Sequence, residues 1–196
     1  MLLTIFYEPI LAGQLELKYG FTTDDAAYFY SIFTISAFAT NLVLTVCPLK
    51  KHFLVWSIVG LVFSVLASLL TGPSKLLSLP DSLKIMGAGI ALLGITSQVL
   101  QVTMVVNTLQ PLYNMFHGQN NHISTLYGAY RQMALGFAFF SCPFFASGMT
   151  SLFSYETTCD SVAFIVAVFL VVFMGIHLSH KEKTHFKSSL KEPLIV

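Results

Sequence analysis

The sequence predicts an all-α integral membrane protein with six transmembrane helices, resembling one half of a larger helical fold. Hydrophobic residues make up 55% of its 196 residues, charged residues only 10%, and the mean hydropathy is +0.75. A soluble domain carries about 25% charged residues. Because so few charges cannot cover a globular surface in water, most of the surface is expected to face lipid.

Six stretches are apolar enough to cross a bilayer, which takes roughly 20 residues in a helix. We place them at 1–17, 26–46, 53–71, 82–109, 124–153 and 157–178. The connections are short and contain turn signals, and Gln110-Pro111 is expected to end the fourth helix. The spans are therefore expected to form a single domain over 1–178, followed by a polar, basic cytoplasmic tail over 179–196.

The basic residues predict the orientation, because Lys and Arg favour the cytoplasmic side of a membrane. With six spans both termini lie on one side, which then holds six lysines: Lys50, Lys51, Lys181, Lys183, Lys187 and Lys191. The opposite side holds three: Lys18, Lys75 and Lys84. Both termini are therefore predicted to be cytoplasmic, in the plasma membrane or in an internal membrane.

Several function classes are disfavoured by composition and motifs. The net charge of +1 argues against nucleic acid as a partner. The three cysteines have neither disulfide-framework nor metal-site spacing. No CxxC, HExxH, GxxxxGK[ST] or GxSxG motif occurs. We therefore expect no enzyme, no cofactor and no metal.

Glu8 is the acidic residue well inside an expected span, in "IFYEPILAG". Intramembrane ionisable groups are functional candidates, and burial favours the protonated form of a carboxyl group, as a proton relay requires. The alternative is a Glu8 side chain that hydrogen-bonds a neighbouring helix and only fixes packing. Pro9 likewise either frees a carbonyl towards a polar cavity or lies in a first helical turn.

Neutral polar residues form two further candidate groups. Gly94, Gln98 and Gln101 share one face of the fourth segment, since they recur at i, i+4 and i+7. The two glutamines either cross-link helices or line a hydrated cavity. Asn41 in the second segment also needs a partner, which we expect on another helix.

The fifth segment places Gln132 in a stripe with residues four apart: Ser124, Gly128 and Gly136. Arg131 stands within two turns of the predicted cytoplasmic end. Its long side chain is expected to reach the interface or to serve a structural role, and the alternative is a substrate ligand. Gln132 and Arg131 are therefore further candidates for a substrate or ion pathway.

Three long stretches carry a family resemblance. "FYEPILAGQLELKYGFTTDDAAYFYSIFTISAFATNLV" places an acidic residue before a proline, and "TGPSKLLSLPDSLKIMGAGIALLG" combines a Gly-Pro-Ser loop with Leu-Pro before a helix. "STLYGAYRQMALGFAFFSCPFFASGMTSLFSYETTCDSVAFI" joins a Gly-rich helix to a Thr-Thr-Cys-Asp turn. Together they resemble helices seven to twelve of a major facilitator superfamily transporter, in the vesicular amine and polyamine transporter-like branch and its protist relatives.

The resemblance implies the C-terminal six-helix half of a secondary transporter, with substrate held between two halves near the membrane midplane. The expected partners are the lipid bilayer, a second six-helix half or other membrane subunits, and a small organic or cationic solute. Proton coupling is one candidate mechanism. The alternative is a non-transporting scaffold or accessory subunit of a larger membrane complex, in which the polar groups serve helix contacts only.

Overall fold

Six α-helices make up the computed structural model, which describes residues 2–46, 53–74, 80–115 and 120–189. In chain order they are α1 (Leu2–Tyr19), α2 (Thr23–Val46), α3 (Phe53–Thr71), α4 (Leu83–Met115), α5 (Asn120–Leu152) and α6 (Tyr155–Ser189). The all-α prediction is confirmed for these residues.

Five of the six helices are long and apolar enough to cross a membrane, and α1 is not among them. The reason is its composition: α1 has 18 residues, and Glu8, Glu16 and Lys18 are three of them. The structure therefore supports a membrane-embedded helical protein, while the first of the six expected spans stays a prediction.

Several helix boundaries differ from those expected. Helix α4 continues through Gln110 and Pro111 to Met115, so the proline does not end the helix as expected. Helix α5 begins at Asn120, before the expected 124, and runs through Pro143. Helix α6 extends to Ser189 into the expected tail, since no Gly or Pro follows Gly175 before that point. Residues 190–196 lie outside the described residues.

Local signals fix the turn between α1 and α2. Gly20 has a positive φ of 66°, and its N–H donates to Glu16 O at 3.0 Å, which closes α1 with a left-handed cap. Thr22 and Asp25 then form a capping box: Asp25 N–H donates to Thr22 Oγ1 at 3.3 Å, and Thr22 N–H donates to Asp25 Oδ2 at 3.1 Å.

Helix α4 lies at the centre of the packing, between α3 and α2, while α3 also packs on α6 and α1 on α5. Glycines permit the closest approaches. A Cβ at Gly94 would lie 2.6 Å from Phe33 O of α2, and a Cβ at Gly89 would lie 2.5 Å from Thr71 N of α3. These two positions hold the backbone of α4 against both neighbours.

The core is one cluster of buried residues to which all six helices contribute. Tyr7, Leu11 and Leu15 lie one turn apart on α1 and are almost completely buried. They belong to one cluster with Met86 of α4 and Cys159 of α6. Helix α2, by contrast, buries only two residues, Ala26 and Ala37.

Candidate functional site

Glu8 is exposed and lies at the edge of the α1 face that buries Tyr7, Leu11 and Leu15. Its carboxylate is close enough to Tyr30 of α2 to act on that side chain electrostatically. The structure thus places Glu8 at the surface between α1 and α2. Both interpretations of Glu8, as a group of a polar pathway and as a carboxyl group that bonds a neighbouring helix, stay predictions.

Gln98 and Gln101 are half-buried on α4. The contacts between α4 and α2 show at which height of the bundle these glutamines lie. Gly87 of α4 faces Phe29 and Ile32 of α2. Further along α4, Gly94 faces Phe33 and Ala37. The two helices run in the same direction. One turn beyond Gly94, α4 carries Gln98, and α2 also carries a polar residue at this level.

On α2 that next turn contains Asn41, whose side chain is exposed. The structure therefore brings Gln98 and Asn41 to the same level on adjacent helices. Neither amide is sealed in the core.

The α5 candidates lie apart from this group. Arg131 is half-buried and Gln132 is exposed. A Cβ added at Gly128 or at Gly136, the neighbours of Gln132 in its stripe, would have no atom within 4 Å. Among the described residues, no acidic side chain forms an ion pair with Arg131, since both ion pairs found there use Lys18.

Asn107 shows that part of the polar content of α4 is structural. Its Nδ2 donates to Ser57 Oγ of α3 at 2.9 Å, and Ser57 is fully buried. This bond fixes the register of α3 against α4, which is the largest helix contact in the fold.

Sequence reasoning missed an ion cluster that joins three segments. Lys18, in the last turn of α1, forms an ion pair with Asp81, and its Nζ lies 3.3 Å from Glu156 Oε1 of α6. Tyr19 Oη donates to Asp81 Oδ1 at 3.0 Å. We call the end of the bundle that holds this cluster the Lys18 end.

The ion pair perturbs the titration of both partners. The hydrogen bond from Lys18 holds the pKa of Asp81 below its usual range, and the hydrogen bond to Asp81 raises the pKa of Lys18. Both groups are therefore charged over the whole neutral range. The spacing of residues 18, 81 and 156 in the sequence does not predict this cluster.

Another feature that the sequence did not reveal is a polar group buried between α1, α3 and α6. The Tyr7 hydroxyl faces Ser68 of α3 and Cys159 of α6, although neither is placed for a hydrogen bond of good geometry. In the described part of the chain, Asp160 Oδ1 is likewise buried without a hydrogen-bond partner. Since α6 begins at Tyr155, this carboxylate lies more than one turn inside that helix.

An open pocket of about 420 Å³ lies between α1, α5 and the start of α6, near the Lys18 end. Gly13 and Gln14 line it from α1, and Ser147, Thr150 and Ser151 line it from α5. None of the earlier candidate residues lines this pocket. The only sequence feature that could have indicated this pocket is the helical spacing of its small and hydroxyl residues. Such spacing is equally typical of packed helices.

The described residues contain no group of three or more His, Cys, Asp or Glu side chains that could hold a metal ion. Comparison with protein-family models, with curated proteins and with solved structures finds no match to this chain.

Proposed function

We propose that this chain forms one half of a membrane transporter and lines one wall of a solute pathway, with a second six-helix half as the other wall. The supporting observation is the position of its intramembrane polar side chains. Glu8, Asn41 and Gln132 are exposed, and Gln98 and Gln101 are half-buried. Polar groups in lipid are costly, so side chains left at the surface of such helices favour an aqueous cavity or a partner over them.

The pattern of helix contacts supports the same proposal. Helix α1 packs on α5, α2 packs on α4, and α3 packs on α6. Consider an exchange of α1 with α4, of α2 with α5 and of α3 with α6. The α1–α5 contact then becomes the α4–α2 contact, and the α3–α6 contact stays the same. These three contacts fit two three-helix repeats of opposite direction, which is how many transporter halves are built. Among the described residues, the α3–α4 contact, the largest in the fold, has no α6–α1 counterpart of similar size.

In this proposal Glu8 carries the proton or the charge of a cation, because it is an exposed acidic group well inside the expected first span. Gln98, Gln101 and Asn41 supply neutral hydrogen bonds to the solute. Rocking of the two halves then exposes the pathway to alternate sides of the membrane. Both termini are proposed to be cytoplasmic, which places the Lys18 end on the opposite side.

A scaffold subunit without transport is the second candidate, and the Asn107–Ser57 hydrogen bond favours it. In this hydrogen bond Asn107 and Ser57 serve only to hold α4 and α3 together. If the remaining amides meet partner helices in the same way, no pathway exists.

Cysteine accessibility in native membranes separates the two candidates. Single cysteines at positions 98 and 101, in a background with the native cysteines changed to alanine, would be treated with a charged, membrane-impermeant thiol reagent. We expect fast labelling because the proposed pathway holds water. The matched control is Phe164→Cys, which is 70% exposed on the apolar face of α6. Labelling at 98 and 101 no faster than at 164 would contradict the proposed pathway.

Transport itself is tested by uptake of a cation panel into proteoliposomes, after co-reconstitution with whatever subunit copurifies. Glu8→Gln should abolish proton-driven uptake, since it removes the titratable group and keeps its size. Glu16→Gln, two turns further on the same helix and also exposed, should leave uptake unchanged. Equal loss in both variants would remove Glu8 from the mechanism.

A further inference from the structure

The pocket between α1, α5 and α6 owes its space to small side chains on both walls. A Cβ built at Gly13 meets no atom within 4 Å, so this side of α1 is open. Across from it stand Ser147 and Ser151 of α5. The pocket also reaches the surface, since Phe153 and Ser154 of the α5–α6 turn line it and are exposed. A volume of about 420 Å³ falls within the usual range of small-molecule sites.

Two hydroxyl groups of the pocket, those of Thr150 and Ser151, have already donated their protons. Thr150 Oγ1 donates to Ala146 O at 3.0 Å, and Ser151 Oγ donates to Gly148 O at 2.8 Å. A hydroxyl has one proton and two lone pairs, so these oxygens present only acceptors to the pocket. Gln14 adds an amide that both donates and accepts. A ligand that bonds to both of these oxygens must therefore carry hydrogen-bond donors.

The lining also lacks formal charge. Its polar members are Gln14, serines, a threonine and the Tyr155 phenol, and the Tyr155 hydroxyl donates to Thr71 O at 3.2 Å. Lys18 and Glu156, which directly follow the lining residues Leu17 and Tyr155, lie 3.3 Å from each other in the ion cluster. An ammonium or carboxylate ligand would lose its hydration without gaining a countercharge, which is costly.

From these observations we infer that the pocket binds an uncharged small molecule bearing several hydroxyl groups, such as a monosaccharide or another polyol. Its hydroxyls donate to Thr150, Ser151 and Gln14, and its apolar ring face lies on Leu17 and Phe153. Because the pocket opens at the α5–α6 turn, the ligand enters from water. This site goes beyond the proposed transport role, since equilibrium binding does not depend on a partner half or on uptake.

Saturation-transfer NMR with glucose, on the full chain in phosphatidylcholine nanodiscs, tests the inference. We expect saturable binding that inositol displaces and that neither spermidine nor malate displaces. Thr150→Val should weaken glucose binding about fivefold, the effect of one lost hydrogen bond, and Thr150→Ser should restore it. The matched control is Thr108→Val on α4, whose Oγ1 makes the same bond to its own helix, to Met104 O at 2.8 Å.

A second variant fills the pocket without removing a polar group. Gly13→Leu should abolish glucose binding, whereas Gly175→Leu on α6, where a Cβ also meets no atom within 4 Å, should not. Folding of each variant is checked by its thermal unfolding midpoint. The inference is overturned if no uncharged polyol binds, if spermidine or malate displaces glucose, or if the control variants weaken binding as much as the pocket variants do.

The same chemistry could come from a lipid headgroup, and the nanodisc composition separates the two sources. Addition of a galactolipid should leave glucose affinity unchanged, because the ligand enters from water. If the galactolipid displaces glucose competitively, the pocket is a site for a membrane lipid, and the inference of a soluble ligand is overturned.

Discussion

At the scale of single residues, glycines decide how closely the helices approach. Gly94 of α4 lies against α2 so tightly that an added Cβ would stand 2.6 Å from Phe33 O and would also collide with Ser36 Oγ. The carbonyl belongs to the backbone and cannot rotate away. The absence of a side chain at position 94 is therefore what allows α2 and α4 to pack.

Gly94→Ala should accordingly destabilise the protein by about 1–3 kcal/mol, the usual cost of overpacking a close contact. The measurement is thermal or denaturant unfolding in detergent micelles. Gly136→Ala on α5 is the control, because its Cβ enters open space. There the intrinsic preference of helices for alanine should leave stability equal or slightly higher. Equal destabilisation of both variants would show that the α2–α4 contact is looser than described.

At the scale of elements, the turn between α1 and α2 is specified by its own residues. Gly20 adopts a positive φ that other residues reach only with strain, and Thr22 and Asp25 start α2 with reciprocal hydrogen bonds. This turn determines where α1 ends. It thereby places Lys18 within reach of Asp81 and Glu156.

Gly20→Ala should cost about 1 kcal/mol of stability, because a Cβ is strained in the left-handed region. Gly13→Ala, in the same helix and in open space, should instead be neutral or slightly stabilising. Both are measured by unfolding midpoints in one detergent. If Gly20→Ala is as stable as the wild type, the left-handed cap does not form.

At the scale of the whole molecule, the ion cluster ties together α1, the segment before α4 and the start of α6. Residues 18, 81 and 156 are far apart in sequence, so the cluster forms only when all three segments are in place. Lys18 and Asp81 are still about one third or more exposed, with side-chain exposures of 32% and 43%. Solvent screening therefore limits the contribution of their pair to about 1 kcal/mol or less.

The cluster makes stability depend on pH in two windows. The pKa of Asp81 is lowered on folding, so its contribution is present above its unfolded pKa of about 3.9 and is lost as pH falls through the folded value. The pKa of Lys18 is raised, so its contribution is present below about 10.4 and is lost as pH rises through the folded value.

Unfolding midpoints of the wild type should therefore be level at neutral pH and should fall at both extremes. Lys18→Met should flatten part of the acid decline, since Asp81 then loses its partner, and high salt should have a similar effect. Lys84→Met, which removes another exposed lysine at the start of α4, is the control and should leave the acid decline unchanged. An acid decline in Lys18→Met as steep as in the wild type would exclude the cluster as its cause.

The helical class and most helix positions were predictable from sequence, because length, hydropathy and turn residues act locally. The same reasoning failed at Pro111 and in the residues after 178, where local signals to stop a helix were overestimated or inferred from polarity alone. It found the polar side chains of α1, α2, α4 and α5, since each is conspicuous in its own apolar segment. The sequence could not show which of these side chains are exposed, because that depends on which helix faces pack against each other.

The sequence by itself thus determined that this is a helical membrane protein and which polar residues its helices carry. Only the tertiary structure decided that Glu8 lies at the α1–α2 surface, that Gln98 shares a level with Asn41, and that Asn107 is committed to Ser57. It alone assembled the ion cluster and the hydroxyl-lined pocket. The physical reason is distance along the chain: Gly13 and Ser147 form opposite walls of one pocket, and no local pattern can indicate which helix faces meet.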